Sequence, residues 1–130
     1  MRLLLDTHVL LWWAAGDRKL SKELRATIAS PDNAIAVSAA TFWELAIKKQ
    51  LGRVHIYLAD LQKAIAADGF DGLPVAIADT LRLESLPDLH RDPFDRLLIA
   101  QSIESAARLV TRDAQILEYA GVEGFDPLEA

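Results

Sequence analysis

The sequence predicts a single α/β domain with a mainly parallel β-sheet. Short apolar runs alternate along the whole chain with longer segments whose apolar residues are three and four positions apart. This alternation is typical of parallel sheets whose strands are connected by helices. The 130 residues contain no linker, repeat or low-complexity tract, so we expect one domain over residues 1–130.

The chain begins with a strand candidate and two helix candidates. Leu3–Leu5 is too short an apolar run for a helix and predicts a buried strand. Thr7–Ala15 follows as a helix, with Gly16 as its C-terminal stop. Ser21 is a suitable N-cap for the second helix. The boundaries are therefore marked by residue type as well as by periodicity.

The middle of the chain repeats the pattern of strand and then helix. Ala34–Val37 predicts the second strand, and Ser38 caps a helix that Gly52 ends. Apolar residues at helical spacing predict another helix around residues 58–65. The remaining elements, in order, are predicted as a strand at Leu73–Ala76, a helix near Ala78–Glu84, a helix from Asp92-Pro93 to about Ala107, a strand at Leu109–Val110, a short helix at Asp113–Tyr119 and a strand near Val122–Phe125.

Composition narrows the classes of function. The absence of cysteine excludes disulfide frameworks, thiolate zinc sites and cysteine nucleophiles. No secretory signal or membrane-spanning stretch is visible, so we expect a cytoplasmic protein without a membrane partner. The net charge of −5, from 19 acidic and 14 basic residues, argues against a broad basic surface for nucleic acid. An acidic excess is also compatible with carboxylates gathered around a metal ion.

Four acidic residues occupy positions where parallel sheets form sites. Asp6 and Asp113 follow predicted strands, and Glu44 and Asp95 fall in what we take to be the first turns of helices. Binding sites of such sheets lie beyond the carboxyl ends of the strands. Carboxylates crowded there repel one another unless a divalent cation lies among them, and Mg²⁺ or Mn²⁺ prefers oxygen ligands.

Each of these acids also has a structural explanation. Asp6 and Asp113 could be helix N-caps, and Asp92 is the expected N-cap of the helix that begins at Pro93. Glu44 lies on an apolar helical stripe but could pair with Lys48 four residues later. An acid such as Asp95 in a first turn also stabilises the helix dipole.

Four segments in order resemble the motifs of the PIN-domain nucleases, specifically the VapC-type toxins of bacterial toxin–antitoxin pairs. They are Leu3–Thr7, Ser38–Leu45, Asp92–Gln101 and Leu109–Asp113, and the resemblance covers nearly the whole chain. It implies a three-layer α/β/α fold with a five-stranded sheet of order 3-2-1-4-5. It also implies RNA cleavage that depends on Mg²⁺ or Mn²⁺, a homodimer, and inhibition by an antitoxin protein.

These expectations assign roles to particular residues. The catalytic and metal-binding candidates are Asp6, Glu44, Asp95 and Asp113, which would hold an ion that activates water for hydrolysis of an RNA phosphodiester. Thr111 is a candidate donor to a metal ligand, and Asp92 is a candidate for contact with the ion through water.

Basic residues near the motifs are candidates for contact with the RNA backbone. They are Arg96, Arg112 and Lys48, and the alternative is that they are solvated or paired with the acids. The histidines at positions 8, 55 and 90 lack the spacing of metal ligands, and we expect no site from them.

Two other functions are compatible with a small α/β domain that carries an acidic pocket. A receiver-type phosphoacceptor domain would have paired acids after its first strand and a lysine late in the chain, whereas Asp6 stands alone and no lysine follows Lys63. A binding module with the PIN fold but without activity is the second alternative.

Overall fold

A five-stranded, fully parallel sheet forms the centre of the computed structural model, which describes residues 1–130. The strand order is β3-β2-β1-β4-β5. The strands are β1 Arg2–Leu5, β2 Ala34–Ser38, β3 Asp71–Leu73, β4 Arg108–Thr111 and β5 Leu128–Glu129. The predicted fold class and strand order are confirmed.

Helices cover both faces of this sheet. They are α1 Thr7–Ala15, α2 Lys22–Ala29, α3 Ala39–Gln50, α4 Leu58–Ala67, α5 Ile77–Leu83, α6 Pro93–Glu104 and α7 Ala114–Leu117, with a 3₁₀ turn at Glu118–Gly121. Side chains alternate across a strand, so Leu3 and Leu5 pack with α1 to α4 while Leu4 packs with α6 and α7. The two apolar clusters are the interfaces of a three-layer α/β/α arrangement. No helix is both long and apolar enough to cross a membrane.

The predicted helix starts are confirmed by their capping contacts. The Ser21 hydroxyl accepts the Leu24 N–H at 3.1 Å, and the Ser38 hydroxyl accepts the Ala40 N–H at 3.0 Å. Gly16 ends α1 with φ of 63°, a left-handed conformation that glycine adopts without strain. Local residue chemistry therefore determines where these helices begin and end.

Two predicted strands were misplaced. β3 ends at Leu73, not Ala76, because Pro74 has no N–H to continue the ladder with β2. Residues 122–125 form a turn in which the Phe125 N–H donates to the Val122 carbonyl at 3.0 Å. The last strand is instead β5, where Leu128 pairs with Val110.

Two helix predictions also need correction. α6 ends at Glu104 and not near Ala107, because the chain reverses at Ala106, with φ of 53°, and the Ala107 N–H donates to the Ser102 carbonyl. Glu44 is the sixth residue of α3 and therefore lies in its second turn, one turn later than expected.

A buried hydrogen-bond pair connects α6 to the sheet. The Ser38 hydroxyl donates to Gln101 Oε1 at 2.5 Å, and Gln101 Nε2 donates to the Pro74 carbonyl at 3.2 Å. Gln101 is 1% exposed, so an unpaired amide there would be costly. This contact fixes the helix that carries Asp95 against the ends of β2 and β3.

Candidate functional site

The four predicted acids lie at the carboxyl edge of the sheet or on the helices that leave it. Asp6 is the residue after β1, and Asp113 is the second residue after β4, the strand beside β1. Glu44 lies on α3, which follows β2 directly, and Asp95 lies in the first turn of α6. The topology therefore places all four residues toward the carboxyl edge of the sheet. The ligand atoms that lie within 4.8 Å of one another belong to His90, Asp92 and Asp95, and Asp6, Glu44 and Asp113 are outside this group.

Asp6 is not a helix cap, although its backbone occupies the N-cap position of α1. Its side chain makes no capping bond and instead accepts the hydroxyl of Thr111 at 2.6 Å. Asp6 is 4% exposed and Thr111 is fully buried. The Thr111 oxygen also accepts the Asp113 N–H at 3.1 Å, so one hydroxyl connects the Asp6 carboxylate to the backbone of Asp113.

Glu44 is both buried on its helix and paired with Lys48, the two environments that the sequence suggested. It is buried on α3, and its Oε1 accepts the Thr7 hydroxyl at 2.7 Å. Its Oε2 lies 2.9 Å from the Lys48 ammonium, the predicted pairing partner. Thr7 follows Asp6 in the chain, so this contact brings Glu44 to the Asp6 side of the sheet edge.

Asp95 has a histidine partner that the sequence did not indicate. His90 Nε2 lies 2.9 Å from Asp95 Oδ2, and both side chains are largely buried. Ligand atoms of His90, Asp92 and Asp95 lie within 4.8 Å of one another. The sequence was expected to yield no separate site from the histidines, and the structure places His90 beside the predicted acid Asp95. The two residues are five positions apart across the turn into α6, which is not a spacing of helical neighbours.

Asp92 and Asp113 are helix caps. Asp92 Oδ1 accepts the N–H groups of Phe94 and Asp95 at 2.9 and 3.0 Å. Asp113 Oδ1 accepts the Gln115 N–H at 2.8 Å at the start of α7. Capping uses one oxygen of each carboxylate and does not neutralise its charge.

Electrostatics shows that the acids act on one another. Burial raises the pKa of Asp95 from 3.8 to about 7; the His90 hydrogen bond opposes this shift, and the charges of Asp92, Asp6 and Asp113 add to it. Burial also raises the pKa of Asp6, against the hydrogen bond from Thr111, and the charge of Asp113 contributes to the rise. The site therefore concentrates negative charge that water does not fully solvate.

This donor set fits a hard divalent cation. The group of His90, Asp92 and Asp95 offers carboxylate oxygens and one imidazole nitrogen, and the chain has no cysteine. Oxygen ligands of this kind suit Mg²⁺ and Mn²⁺. A cation would also favour the ionised form of Asp95, whose pKa is raised first by burial and further by the charges of Asp92, Asp6 and Asp113.

The three predicted RNA-binding cations all have protein partners. Lys48 pairs with Glu44. Arg96 donates to the Leu83 and Pro87 carbonyls and to the Tyr119 hydroxyl. Arg112 donates to the Lys19 and Ala130 carbonyls, and its guanidinium lies 4.5 Å from the Trp12 ring centre. Of the three, Arg96 makes the most hydrogen bonds within the protein.

Comparisons with known proteins agree with this geometry. Residues 3–122 match the PIN domain. The chain is 33% identical over 120 residues to Ribonuclease VapC22 of Mycobacterium tuberculosis, and the match covers 88% of each chain.

Solved structures with the same fold include toxin–antitoxin complexes. VapBC2 from Rickettsia felis, bound to a DNA fragment of its promoter, superposes with a TM-score of 0.72 at 16% identity and covers 99% of this chain and 98% of its own. A toxin–antitoxin complex from Klebsiella pneumoniae gives 0.62 at 23% identity, with coverage of 98% and 99%. The match over residues 3–122 and the similarity to the mycobacterial ribonuclease together show that the chain belongs to the PIN-domain family.

Proposed function

We propose that this protein is a ribonuclease that hydrolyses RNA phosphodiesters with Mg²⁺ or Mn²⁺ held by Asp6, Glu44, Asp95 and Asp113. The observation that carries the proposal is the burial of Asp6 and Asp95 among other acids, which raises the pKa of Asp95 to about 7. RNA is the expected substrate because the relative that is 33% identical is named a ribonuclease.

The side chains of the site have two proposed roles, as cation ligands and as donors that orient those ligands. Asp6 and Asp95 supply buried carboxylate oxygens, and the hydroxyls of Thr111 and Thr7 orient Asp6 and Glu44 without neutralising them. When bound, the cation supplies positive charge that activates water and stabilises the phosphate oxygens. Asp113 adds charge from the α7 cap.

Fewer basic side chains are available to contact the RNA backbone than the sequence suggested, because the three candidates already have protein partners. Lys48 is 31% exposed, and its ammonium lies at the edge of the acidic site, so it could also meet a phosphate. Arg112 is exposed but donates to two backbone carbonyls. We therefore rank Lys48 ahead of Arg112, and both ahead of Arg96.

Replacing Asp6 by asparagine tests the proposed activity. We expect Asp6→Asn to lose RNA cleavage by at least about 100-fold while its circular dichroism is unchanged, because a neutral amide binds a divalent cation poorly. Asp60→Asn, at an exposed position in the first turn of α4, is the matched control and should cleave RNA normally. Full activity of Asp6→Asn, or of the wild type in excess EDTA, would contradict the proposal.

We also propose that the protein is the toxin of a toxin–antitoxin pair, with an antitoxin protein as its partner. The support is the similarity to VapC22, to VapBC2 and to the structure from Klebsiella pneumoniae that is described as a toxin–antitoxin complex. A homodimer is part of the same proposal. Ile77 and Leu81, one turn apart on α5, are 79% and 63% exposed and are candidates for its interface. Sedimentation of the wild type and of Leu81→Lys tests this, since the charge should produce a monomer.

The alternatives make different predictions. The family match overturns the receiver-type phosphoacceptor, which would also need an acid at the end of its third strand, whereas β3 ends at Leu73. A PIN-fold module without activity predicts no cleavage of RNA at any concentration of Mg²⁺ or Mn²⁺. Incubation with total RNA and mapping of new 5′ ends distinguishes that module from the proposed nuclease.

A further inference from the structure

The segment between α5 and α6 is fixed by a set of contacts that ends at Asp95. Arg96 Nη1 donates to the Pro87 carbonyl at 2.9 Å and to the Tyr119 hydroxyl at 3.1 Å. The Tyr119 hydroxyl in turn donates to the His90 carbonyl at 3.3 Å. Tyr119, which lies between Arg96 and His90, is fully buried. These contacts hold the backbone of His90 over the start of α6.

His90 is the sole hydrogen-bond donor to the Asp95 side chain. The backbone N–H groups of Phe94 and Asp95 at the start of α6 donate to Asp92 and not to the Asp95 side chain. In the Nε2–H tautomer, His90 donates to Asp95 Oδ2 at 2.9 Å and leaves Oδ1 without a protein partner. Asp6 and Glu44 have the corresponding donors in Thr111 and Thr7.

We propose that His90 is a positioning residue that orients the Asp95 carboxylate toward the cation, and that Arg96 and Tyr119 hold His90 in place. The proposal rests on the cation-binding part of the proposed function. A hydrogen bond to one carboxylate oxygen restricts rotation about the last side-chain bond, so the other oxygen stays aimed at the site. Donors of this kind typically change metal affinity or activity 10- to 100-fold when they are removed.

This role assigns Arg96 to the fold of the site and not to RNA. Its guanidinium donates to the Leu83 and Pro87 carbonyls and to Tyr119, which are the acceptors that fix the segment before α6. The residue directly after Asp95 therefore holds the loop from which His90 reaches back to Asp95.

The test compares Mn²⁺ affinity, measured by calorimetry and electron paramagnetic resonance on the full chain, in His90→Ala and His90→Gln. Glutamine can place an amide N–H near the same point. We expect His90→Ala to bind Mn²⁺ about 10- to 100-fold more weakly and His90→Gln to recover most of that loss. Tyr119→Phe should shift affinity in the same direction by less. His55→Ala, at an exposed position, is the matched control and should bind as the wild type does.

Each possible result of these measurements either supports or overturns the positioning role of His90. Wild-type affinity in His90→Ala, with its fold intact by circular dichroism, overturns the proposal. Equal weakness of the Gln and Ala variants also overturns it, because the imidazole would then act on the cation itself. If the wild type binds Mn²⁺ and the affinities follow the expected order but no RNA is cleaved, the positioning role stands and the ribonuclease proposal fails. Absence of Mn²⁺ binding by the wild type refutes both.

Discussion

Replacing Asp95 by asparagine is expected to stabilise the metal-free protein at pH 8. The Asp95 side chain is 15% exposed, and burial together with the charges of Asp92, Asp6 and Asp113 opposes its ionisation. Asparagine keeps the shape of the side chain and removes the charge. Loss of a functional group should therefore raise the free energy of unfolding when no cation is present.

The sign and size follow from the pKa of Asp95, which is 3.8 ordinarily and about 7 in the fold. Because the folded pKa is the higher one, the contribution of Asp95 to stability is full below pH 3.8 and is lost as the pH rises through about 7. A gap of about three units corresponds to roughly 4 kcal/mol. Asparagine also gives up about 1–2 kcal/mol of helix-dipole and His90 contacts. The expected net gain at pH 8 is about 2–3 kcal/mol.

Urea unfolding followed by circular dichroism in EDTA measures this gain at pH 5 and pH 8. Asp95→Asn should exceed the wild type at pH 8, and the difference should shrink or reverse at pH 5, where wild-type Asp95 is protonated in the fold. Asp60→Asn controls for the helix dipole and should show no such pH dependence, since Asp60 is exposed in the first turn of α4. A less stable Asp95→Asn at pH 8, or an equal difference at both pH values, would refute the reasoning.

Two further predictions test the contacts of the site. Thr111→Val should lose about 1–3 kcal/mol of stability by urea unfolding, because it leaves Asp6 without its donor and the Asp113 N–H without its acceptor. The same substitution at Thr41, whose buried hydroxyl has no partner, should be neutral or stabilising, and equal losses at both positions would contradict this. Asp113→Asn should keep the α7 cap and reduce RNA cleavage, whereas Asp113→Ala should also lose about 0.5–2 kcal/mol. If Asp113→Asn cleaves RNA as the wild type does, Asp113 only caps α7 and has no role in catalysis.

The parts of the fold that residue type determines locally were predictable. Asp92 followed by Pro93 marked the start of α6, and both capping bonds of Asp92 are present. Gly16 likewise marked the end of α1. β5 was misplaced because Leu128–Glu129 is only two residues long and has no alternation to detect. Its position depends on pairing with β4, which local sequence does not encode.

The acids of the candidate site were predictable, but their partners were not. Strand ends and helix starts indicated which carboxylates lie toward the carboxyl edge of the sheet, because parallel topology brings those positions to one edge. The donors depend on tertiary contacts: Thr7 is 37 residues from Glu44, and Thr111 is 105 residues from Asp6. His90 was missed for a different reason, since it is near Asp95 in sequence but meets it only across an irregular turn.

The charges of the side chains that contact Asp6 and Glu44 indicate which of these two acids matters more for cation binding. Thr111 and Thr7 are uncharged, so they orient Asp6 and Glu44 without reducing the demand for a cation, but Lys48 does neutralise Glu44. Glu44 is also absent from the charges that raise the pKa of Asp95. We therefore expect Glu44→Gln to weaken Mn²⁺ binding less than Asp6→Asn does. Calorimetry on the two variants decides this, and a larger loss for Glu44→Gln would mean that Lys48 leaves Glu44 when the cation binds.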